Sequence, residues 1–309
     1  FFKKYYLFGF TGTPIFAPNA NKNNDPAYAT TPQLFGDRLH TYTIVNAIND
    51  GNVLPFRIDY INTMKMKDEN DVNVEAINSE SAMLSMKRIS QIVSYTLEHY
   101  DQKTKRNTFY SYKGKKVSGF NSIFACQSIP AAVRYYSEFR KQIDERNAGL
   151  KIATIFSYAA NEEQADGILE EENFDTSMLD ATGKDALFMA MSDYDQQFHS
   201  NFAVSGDFEA YYKDISMRMK NREIDILIVV NMFLTGFDAT TLSTLWCDKN
   251  LKMHGLIQAF SRTNRILNSV KTFGNIVCFR NLSQEVEDAI SLFGDKDAGS
   301  IVLLKDYRS

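Results

Sequence analysis

The sequence predicts an α/β protein in which a parallel β-sheet is flanked by helices, and three observations support this prediction. Short apolar runs that fit strands alternate with segments of helical spacing from residue 122 to residue 293. Most of these runs are continuously apolar, as in parallel strands covered on both faces. The hydrophobic content of 44% over 309 residues is enough for a large core. Alternating strands and helices imply βαβ units with right-handed crossovers.

The first third of the chain is assigned from start and stop signals. Residues 1–18 fit the end of a helix, a strand over residues 6–10 and a turn, and residues 19–34, rich in Asn, Ala, Thr and Pro, fit a linker. Beyond the linker we expect a helix over residues 43–49, a strand over residues 53–66 and a helix over residues 81–100.

The rest of the chain continues the α/β alternation. Strands are expected at residues 122–126, 152–156, 226–230, 243–247 and 273–279, and helices at residues 130–146, 208–222, 255–265 and 284–293. Residues 162–207 interrupt this pattern, with eleven Asp and Glu against Lys184 alone between residues 162 and 195. We expect an acidic, mostly helical insertion there, with one helix over residues 185–198.

Charge is segregated along the chain, although the net charge is −4. Between residues 240 and 281, six Lys and Arg residues oppose Asp248 alone. A local positive lobe can contact phosphates whatever the net charge of the protein. Residues 103–116 are also basic, with Tyr110 and Tyr112 between the lysines. A solvated loop or hairpin is the favoured interpretation there, and phosphate contact with base stacking is the alternative.

Several classes of protein are disfavoured. The sequence has no apolar run of about 20 residues that could cross a membrane. Cys126, Cys247 and Cys278 lie in apolar strand-like runs without metal-ligand spacing, which predicts buried reduced thiols, no metal site and a cytoplasmic location. The first residue is Phe1 rather than Met, which fits an excised fragment.

Two segments carry the chemistry. The apolar run from residue 226 ends in Thr235-Gly236-Phe237-Asp238, which fits a buried strand that leads into a polar loop. Ligands bind at the carboxyl ends of such strands, so we expect Asp238 at that edge of the sheet. The second segment, residues 258–265, fits an amphipathic helix that places Arg262 and Arg265 on one face. We expect its inward residues to be Ile257, Phe260 and Ile266.

These segments resemble motifs V and VI of the second RecA-like domain of superfamily 2 helicases. Thr11-Gly12-Thr13-Pro14 resembles motif III, the last motif of the first domain. Phe35-Gly36-Asp37 and the runs over residues 151–164 and 271–278 resemble the R (motor) subunit of type I restriction enzymes, and similarity to that subunit extends through nearly the whole chain. Thr240 departs from the pattern, because that family usually has proline there.

The resemblance implies a RecA-like parallel sheet, with residues 1–18 ending the first domain, residues 19–34 as linker and residues 35–309 as the second domain. It implies ATP-dependent translocation of double-stranded DNA by a type I site-specific deoxyribonuclease, with methylation and specificity subunits as partners. ATP and Mg²⁺ would be held mainly by the first domain. Because no Walker A, Walker B or nuclease motif is found in the sequence, we expect this chain alone to be inactive.

The resemblance also implies roles for individual residues. Arg265 would be the arginine finger and Arg262 a second γ-phosphate contact, since guanidinium is always charged and presents a planar fork of donors. A surface ion pair is the alternative for each arginine. The residues that would contact the nucleotide are Gly236, Asp238 and Gln258. The residues that would contact DNA are Thr235, Gln127, Ser128 and Thr154. Thr11 and Thr13 would couple the nucleotide state to DNA binding.

The sequence leaves three alternatives open. A Thr-Gly-x-Asp segment can be a capped turn, and Gln127, Ser128 and Thr154 can be ordinary loop caps. The chain can also belong to another superfamily 2 motor, such as a repair helicase or a remodeller. A nucleotide-free DNA-binding or assembly module with the same fold is the third alternative.

Overall fold

The computed structural model describes residues 8–11, 14–17, 20, 29–36, 38–61, 82–156, 181–293 and 301–304. The helices of these ranges are α1 Thr31–Phe35, α2 Ile44–Asn49, α3 Met86–Thr104, α4 Ile129–Glu145, α5 Ala181–Phe198, α6 Phe202–Ser205, α7 Phe208–Lys220, α8 Met253–Phe260 and α9 Ser283–Phe293. The strands are β1 Phe56–Tyr60, β2 Phe109–Tyr112, β3 Lys115–Ser118, β4 Asn121–Cys126, β5 Ile152–Ile155, β6 Ile226–Val229, β7 Leu242–Asp248 and β8 Gly274–Cys278.

Six strands form one parallel sheet in the order β1-β8-β7-β4-β6-β5. Every residue of β4, β5, β6, β7 and β8 is buried. Burial on both faces explains why these strands are continuous apolar runs in the sequence. The predicted α/β class, a RecA-like parallel sheet flanked by helices, is confirmed.

The strand order reverses direction between β4 and β7. The connection through α4 leads from β4 toward β5 at one edge, whereas the connection through α8 leads from β7 to β8 on the other side. Right-handed crossovers therefore place α4 and α8 on opposite faces of the sheet. Helix α3 packs against α4, and α9 packs against α8. The neighbouring carboxyl ends of β4 and β7 form the topological switch point, where α/β sheets leave a crevice.

Local signals in the sequence explain where the long helices begin. The Ser85 hydroxyl accepts a hydrogen bond from the backbone N–H of Arg88 and caps α3, and the Ser128 hydroxyl accepts one from Ala131 and caps α4. Pro130 lies in the first turn of α4, where no intrahelical hydrogen bond is lost. The predicted start of this helix is thus confirmed to within one residue.

One predicted strand is wrong in its described part. Phe8 to Phe10 form no strand, and both phenylalanines are exposed; the rest of the predicted strand lies outside the described residues. The outer side of the edge strand β1 is instead paired with the C-terminal segment, because Phe56 forms a parallel bridge with Leu303. The Leu304 N–H also donates to the Phe56 carbonyl at 2.8 Å.

The basic segment before β4 is a hairpin, one of the two forms favoured from the sequence. Strands β2 and β3 pair antiparallel through the turn at Lys113 and Gly114. The ring of Tyr110 stacks on Phe120, and the Tyr112 hydroxyl donates to the Lys220 carbonyl. Both aromatic side chains therefore anchor the hairpin to the domain. Of the predicted acidic insertion, α5 and α6 are described, and residues 157–180 lie outside the described ranges.

Candidate nucleotide-facing site

The loop after β6 returns to the opposite edge of the sheet without forming a helix. The backbone N–H of Asn121, the first residue of β4, donates to the Thr241 carbonyl at 3.1 Å. The Thr241 hydroxyl donates to the carbonyl of Met219, in the last turn of α7, at 3.0 Å. Asp238 comes three residues before Thr241, so it lies near the amino edge of the sheet. The prediction that Asp238 lies at the carboxyl edge is therefore wrong.

Helix α8 is shorter than predicted and ends at Phe260, before both candidate arginines. The hydroxyl of Thr263 donates to the Phe260 carbonyl at 2.8 Å, and the backbone N–H groups of Arg262 and Thr263 bond carbonyls three residues earlier. Serine, threonine and asparagine compete locally for backbone groups, and Ser261, Thr263 and Asn264 end the helix here. The two arginines do not share a helical face.

Of the predicted inward residues of this helix, two are confirmed. Ile257 and Phe260 are buried, and the Phe260 ring contacts Phe56 edge-on at a centroid distance of 6.0 Å. Ile266 is exposed, so that part of the prediction is wrong. The chain leaves the helical path before it reaches residue 266, which explains the error.

Arg265 and Asp238 meet across the two loops. The Nε atom of Arg265 lies 3.3 Å from Oδ1 of Asp238, and the side chains are 45% and 56% exposed. The backbone beside Arg265 is fixed to the amino edge, because the Asn264 carbonyl accepts a hydrogen bond from Leu54, two residues before β1. The motif V and motif VI segments are thus brought together with a solvent-facing guanidinium. The same contact is also the surface ion pair that was the alternative interpretation of Arg265.

Arg262 has a different environment from Arg265. It is half-buried, its Nε donates to the Gln258 carbonyl at 3.0 Å, and its Nη1 donates to the Phe237 carbonyl. The guanidinium therefore joins the end of α8 to the Thr-Gly-x-Asp loop, next to Asp238. Gln258 contributes its backbone carbonyl to this connection, and its side chain is half-buried.

Lys271 lies near Asp238 and Arg265, and with Arg262 it completes a cluster of four charged residues. It was not identified from the sequence as a site residue. It is buried, and its ammonium donates to the carbonyls of Thr240 at 2.9 Å and Leu242 at 2.6 Å. Burial lowers the pKa of Lys271 to about 7, while the charge of Asp238 raises this pKa and that of Arg265 lowers it. Only tertiary structure reveals this burial, because a lone lysine before a strand resembles any surface lysine.

Two glycines allow the backbone to follow this path. Gly236 has φ +67°, a conformation that L residues with side chains rarely adopt, and among the described residues no atom beyond its chain neighbours lies within 4 Å of where its Cβ would be. At Gly274 a Cβ would lie 2.2 Å from the Thr263 hydroxyl, so β8 can begin there only with glycine. Thr235 is half-buried, and its carbonyl accepts a hydrogen bond from Phe237 at 2.7 Å.

The candidate DNA contacts after β4 lie at the carboxyl edge, away from Arg265. The Gln127 side-chain oxygen accepts a hydrogen bond from the Asn250 N–H at 2.8 Å, which joins the ends of β4 and β7. Ser128 caps α4. Thr154 is 1% exposed and its hydroxyl donates to the Ile228 carbonyl at 3.0 Å. The prediction that Thr154 contacts DNA is wrong, because the side chain is part of the core.

The motif III threonines are only partly described. Thr11 is exposed, and Gly12 and Thr13 lie outside the described residues. The three cysteines are buried free thiols, as predicted, and burial raises their pKa. Among the described residues, no group of three or more His, Cys, Asp or Glu could hold a metal ion. No helix in the described part of the chain is both long and apolar enough to span a bilayer.

The fold and this cluster define an α/β lobe of the helicase-like RecA type. A family model described as "Type I restriction enzyme subunit R domain 3" matches residues 118–281, more than half of the chain. A second model, described as "SWI2/SNF2 ATPase", matches residues 1–90. The chain belongs to the R subunits of type I restriction enzymes.

Individual relatives of this chain are also subunits of type I restriction enzymes. The chain is 40% identical to the "Type I restriction enzyme SauCOLORF180P endonuclease subunit" of Staphylococcus aureus (strain COL), over 99% of the chain and 31% of that subunit. It is 42% identical to the SsaAORF53P endonuclease subunit of Staphylococcus saprophyticus, over the same shares. The chain therefore spans about a third of the length of these relatives.

A solved structure is also similar in part. It is described as a fragment of a putative HsdR subunit of a type I restriction enzyme from Vibrio vulnificus YJ016, with a TM-score of 0.49 and 15% identity. The similarity covers 86% of this chain and 38% of that one.

Proposed function

We propose that this chain is the second RecA-like lobe of an ATP-dependent motor that moves double-stranded DNA within a type I restriction enzyme. Residues 1–18 would end the first lobe, residues 19–34 would link the two, and residues 35–309 would form the second. The observation that supports this proposal most directly is the contact between Arg265 and Asp238 at an exposed edge of the sheet.

The exposed guanidinium suits a triphosphate held mainly by the first lobe with Mg²⁺. In phosphoryl transfer the protein contributes position and positive charge, and an arginine finger accelerates the reaction about 10³-fold to 10⁵-fold. Asp238 orients Arg265 while both remain accessible to solvent. The open space beside Gly236 leaves room for the nucleotide next to the backbone. When bound, ATP and Mg²⁺ would supply the reacting phosphate and the metal charge.

Arg262 would have a different role from Arg265. Its hydrogen bonds to the Phe237 and Gln258 carbonyls hold the Thr-Gly-x-Asp loop against the end of α8. We therefore propose that Arg262 positions Asp238, and that it contacts the γ-phosphate only after exchanging one of these carbonyls for a phosphate oxygen. Gln258, on α8, would support this position of Arg262 by accepting a hydrogen bond at its backbone carbonyl.

DNA contacts are proposed for Gln127 and Ser128 at the carboxyl edge and for Thr235 in the loop after β6. Backbone N–H groups and hydroxyls at the start of a helix favour phosphate. Thr11 and Thr13 would couple the state of the bound nucleotide to the strength of DNA binding. The methylation and specificity subunits would recognise the target, and a nuclease domain elsewhere in the R subunit would cut it.

ATPase measurements on a full-length R subunit that contains this chain test the proposal. With DNA and the partner subunits present, we expect Arg265→Ala to lower kcat for ATP by about 10³-fold or more. Lys213→Ala, which removes an exposed cation paired with Glu209, is the matched control and should keep wild-type turnover. Equal turnover in all three proteins would instead favour a nucleotide-free DNA-binding or assembly module.

A further inference from the structure

Two nearly buried cations lie at the carboxyl edge of the sheet, opposite the Arg265 site. Lys249 follows the last residue of β7 and is 7% exposed, and the side chain of Arg280, just after β8, is 11% exposed. Strands β7 and β8 are neighbours in the sheet, and Cys247 is paired with Cys278, so Lys249 and Arg280 each lie two residues beyond a paired position. The two residues therefore lie side by side where β7 and β8 end.

One carboxylate, Asp248, lies beside these cations, and it is shared with a third cation. Asp248 is already engaged by Arg88 through bonds of 2.9 and 2.6 Å, by the Tyr135 hydroxyl at 2.7 Å and by Nε of Arg280 at 3.1 Å. Within the described part of the chain, the Lys249 ammonium has no hydrogen-bond or ion-pair partner, and Arg280 has a partner only at Nε. Neither the Lys249 ammonium nor the Arg280 guanidinium is among the described buried polar atoms that lack a partner, so both remain open to solvent or to an anion.

The fold places this cation pair at the topological switch point. The Gln127 side chain bonds the backbone of Asn250, so the ends of β4 and β7 are held together there. Helix α4 begins beside them at Ile129, with Ser128 as its cap. Crevices at switch points are the usual ligand sites of α/β sheets, and the start of a helix adds partial positive charge.

We propose that Lys249 and Arg280 form a binding site for a phosphate group in the crevice between β4 and β7. Phosphate suits this pair because an ammonium and a planar guanidinium can bond different oxygens of one tetrahedral anion. Burial lowers the pKa of Lys249 to about 8, and a bound oxyanion would favour its protonated form. The phosphate can belong to a DNA backbone or to a free anion. The site lies at the edge opposite Arg265, so it does not depend on the proposed nucleotide role.

Binding of inorganic phosphate to this chain tests the proposal. At constant ionic strength set with chloride, we expect phosphate to raise the Tm of the wild type saturably. Lys249→Met should raise the dissociation constant for phosphate at least about tenfold, whereas Lys249→Arg, which keeps the charge, should retain binding. Lys252→Met, which removes an exposed lysine from the same edge, is the matched control and should bind as the wild type does.

Lys249→Met should remain folded, because methionine has similar length and removes a charge that has no ion-pair partner among the described residues; circular dichroism checks this. Two results would overturn the proposal: no saturable phosphate effect on the wild type, or equal phosphate affinity in the wild type and Lys249→Met. Measurement of duplex DNA affinity then identifies whether the bound phosphate belongs to DNA or to a free anion. A parallel loss of DNA affinity in Lys249→Met assigns the phosphate to the backbone, and unchanged DNA affinity with lost phosphate binding assigns it to a free anion.

Discussion

Three cations at the amino edge of the sheet differ mainly in how far water reaches them. Arg265 is solvent-facing and paired with Asp238, Arg262 is half-buried against two carbonyls, and Lys271 is buried against two others. An exposed guanidinium can reorient toward a ligand, whereas a buried ammonium bonded to backbone carbonyls fixes the loop that carries Asp238. The sequence predicted the two arginines but not this difference, since burial depends on loops that return from distant strands.

Lys271 makes stability depend on pH in a defined window. Burial lowers its pKa from 10.5 to about 7, so between these values the unfolded chain holds a proton that the folded chain lacks. The free energy of unfolding therefore rises with pH in that window, by up to about 1.4 kcal/mol per unit. Below pH 7 both states are protonated and the cost of burial is present in full.

Urea unfolding of this chain and of Lys271→Met at several pH values checks this. We expect the wild type to gain stability relative to the variant as pH rises from about 7 toward 10. Lys213→Met is the control for removal of one exposed charge. A stability difference between wild type and Lys271→Met that stays constant over this range contradicts the assignment.

Among the elements, the strands and long helices follow from the sequence, and the loops do not. Continuous apolar runs and Pro130 indicate β4, β6 and α4 to within about one residue, and helical spacing indicates α3 to within about five. The end of α8 and the path after β6 depend on contacts with residues far away in the chain. The Thr241 contacts with Asn121 and Met219 are examples. Periodicity predicts that an element exists, but it cannot show at which edge of the sheet a loop ends.

Substitution of Gly236 tests whether the loop after β6 contacts the nucleotide, and substitution of Gly206 is the matched control. Both glycines have φ close to +67° and open space where a Cβ would be. We expect Gly236→Ala and Gly206→Ala each to reduce the free energy of unfolding by about 1 to 2 kcal/mol, because both force alanine into a left-handed conformation. Only Gly236→Ala should also lower ATP turnover in a full-length subunit. Equal turnover in the two variants would separate this loop from the nucleotide.

Across the whole molecule, one buried ionic network connects helices on one face with the ends of two strands. Asp248 at the end of β7 accepts hydrogen bonds from Arg88 of α3, Tyr135 of α4 and Arg280 after β8. Burial acts to raise the pKa of Asp248, but the bonds from Arg88 and the charge of Arg280 hold it below its usual value. Its members are far apart in sequence, so spacing alone gives no sign of the network or of the strand order.

Loss of one partner from this network should be costly. We expect Arg88→Met to reduce the free energy of unfolding by about 3 to 5 kcal/mol, because it leaves Asp248 buried with less compensation. Arg140→Met removes an arginine from a partly exposed pair with Asp193 and should change stability by less than about 1 kcal/mol. Denaturant unfolding of both variants measures this difference. Similar losses would mean that the buried network does not hold the layers together.

The two edges of the sheet have separate cationic sites, although the sequence suggested a single positive lobe. Arg262, Arg265 and Lys271 lie at the amino edge, and Lys249 and Arg280 lie at the carboxyl edge. A motor lobe needs separate surfaces for nucleotide and for the DNA track, and this separation is consistent with that need. The carboxyl-edge cations extend the surface on which Gln127 and Ser128 are proposed to contact DNA.

In the proposed function, Arg265 stabilises charge that develops on a transferring phosphate. The most direct measurement compares the affinities of a full-length subunit for ADP alone and for ADP with aluminium fluoride, which imitates the transferring phosphoryl group. We expect Arg265→Ala to weaken binding of the aluminium fluoride complex by at least about 10²-fold and to leave ADP affinity within about threefold, because the finger acts in the transition state. Equal affinity of wild type and Arg265→Ala for the aluminium fluoride complex would contradict this role of Arg265.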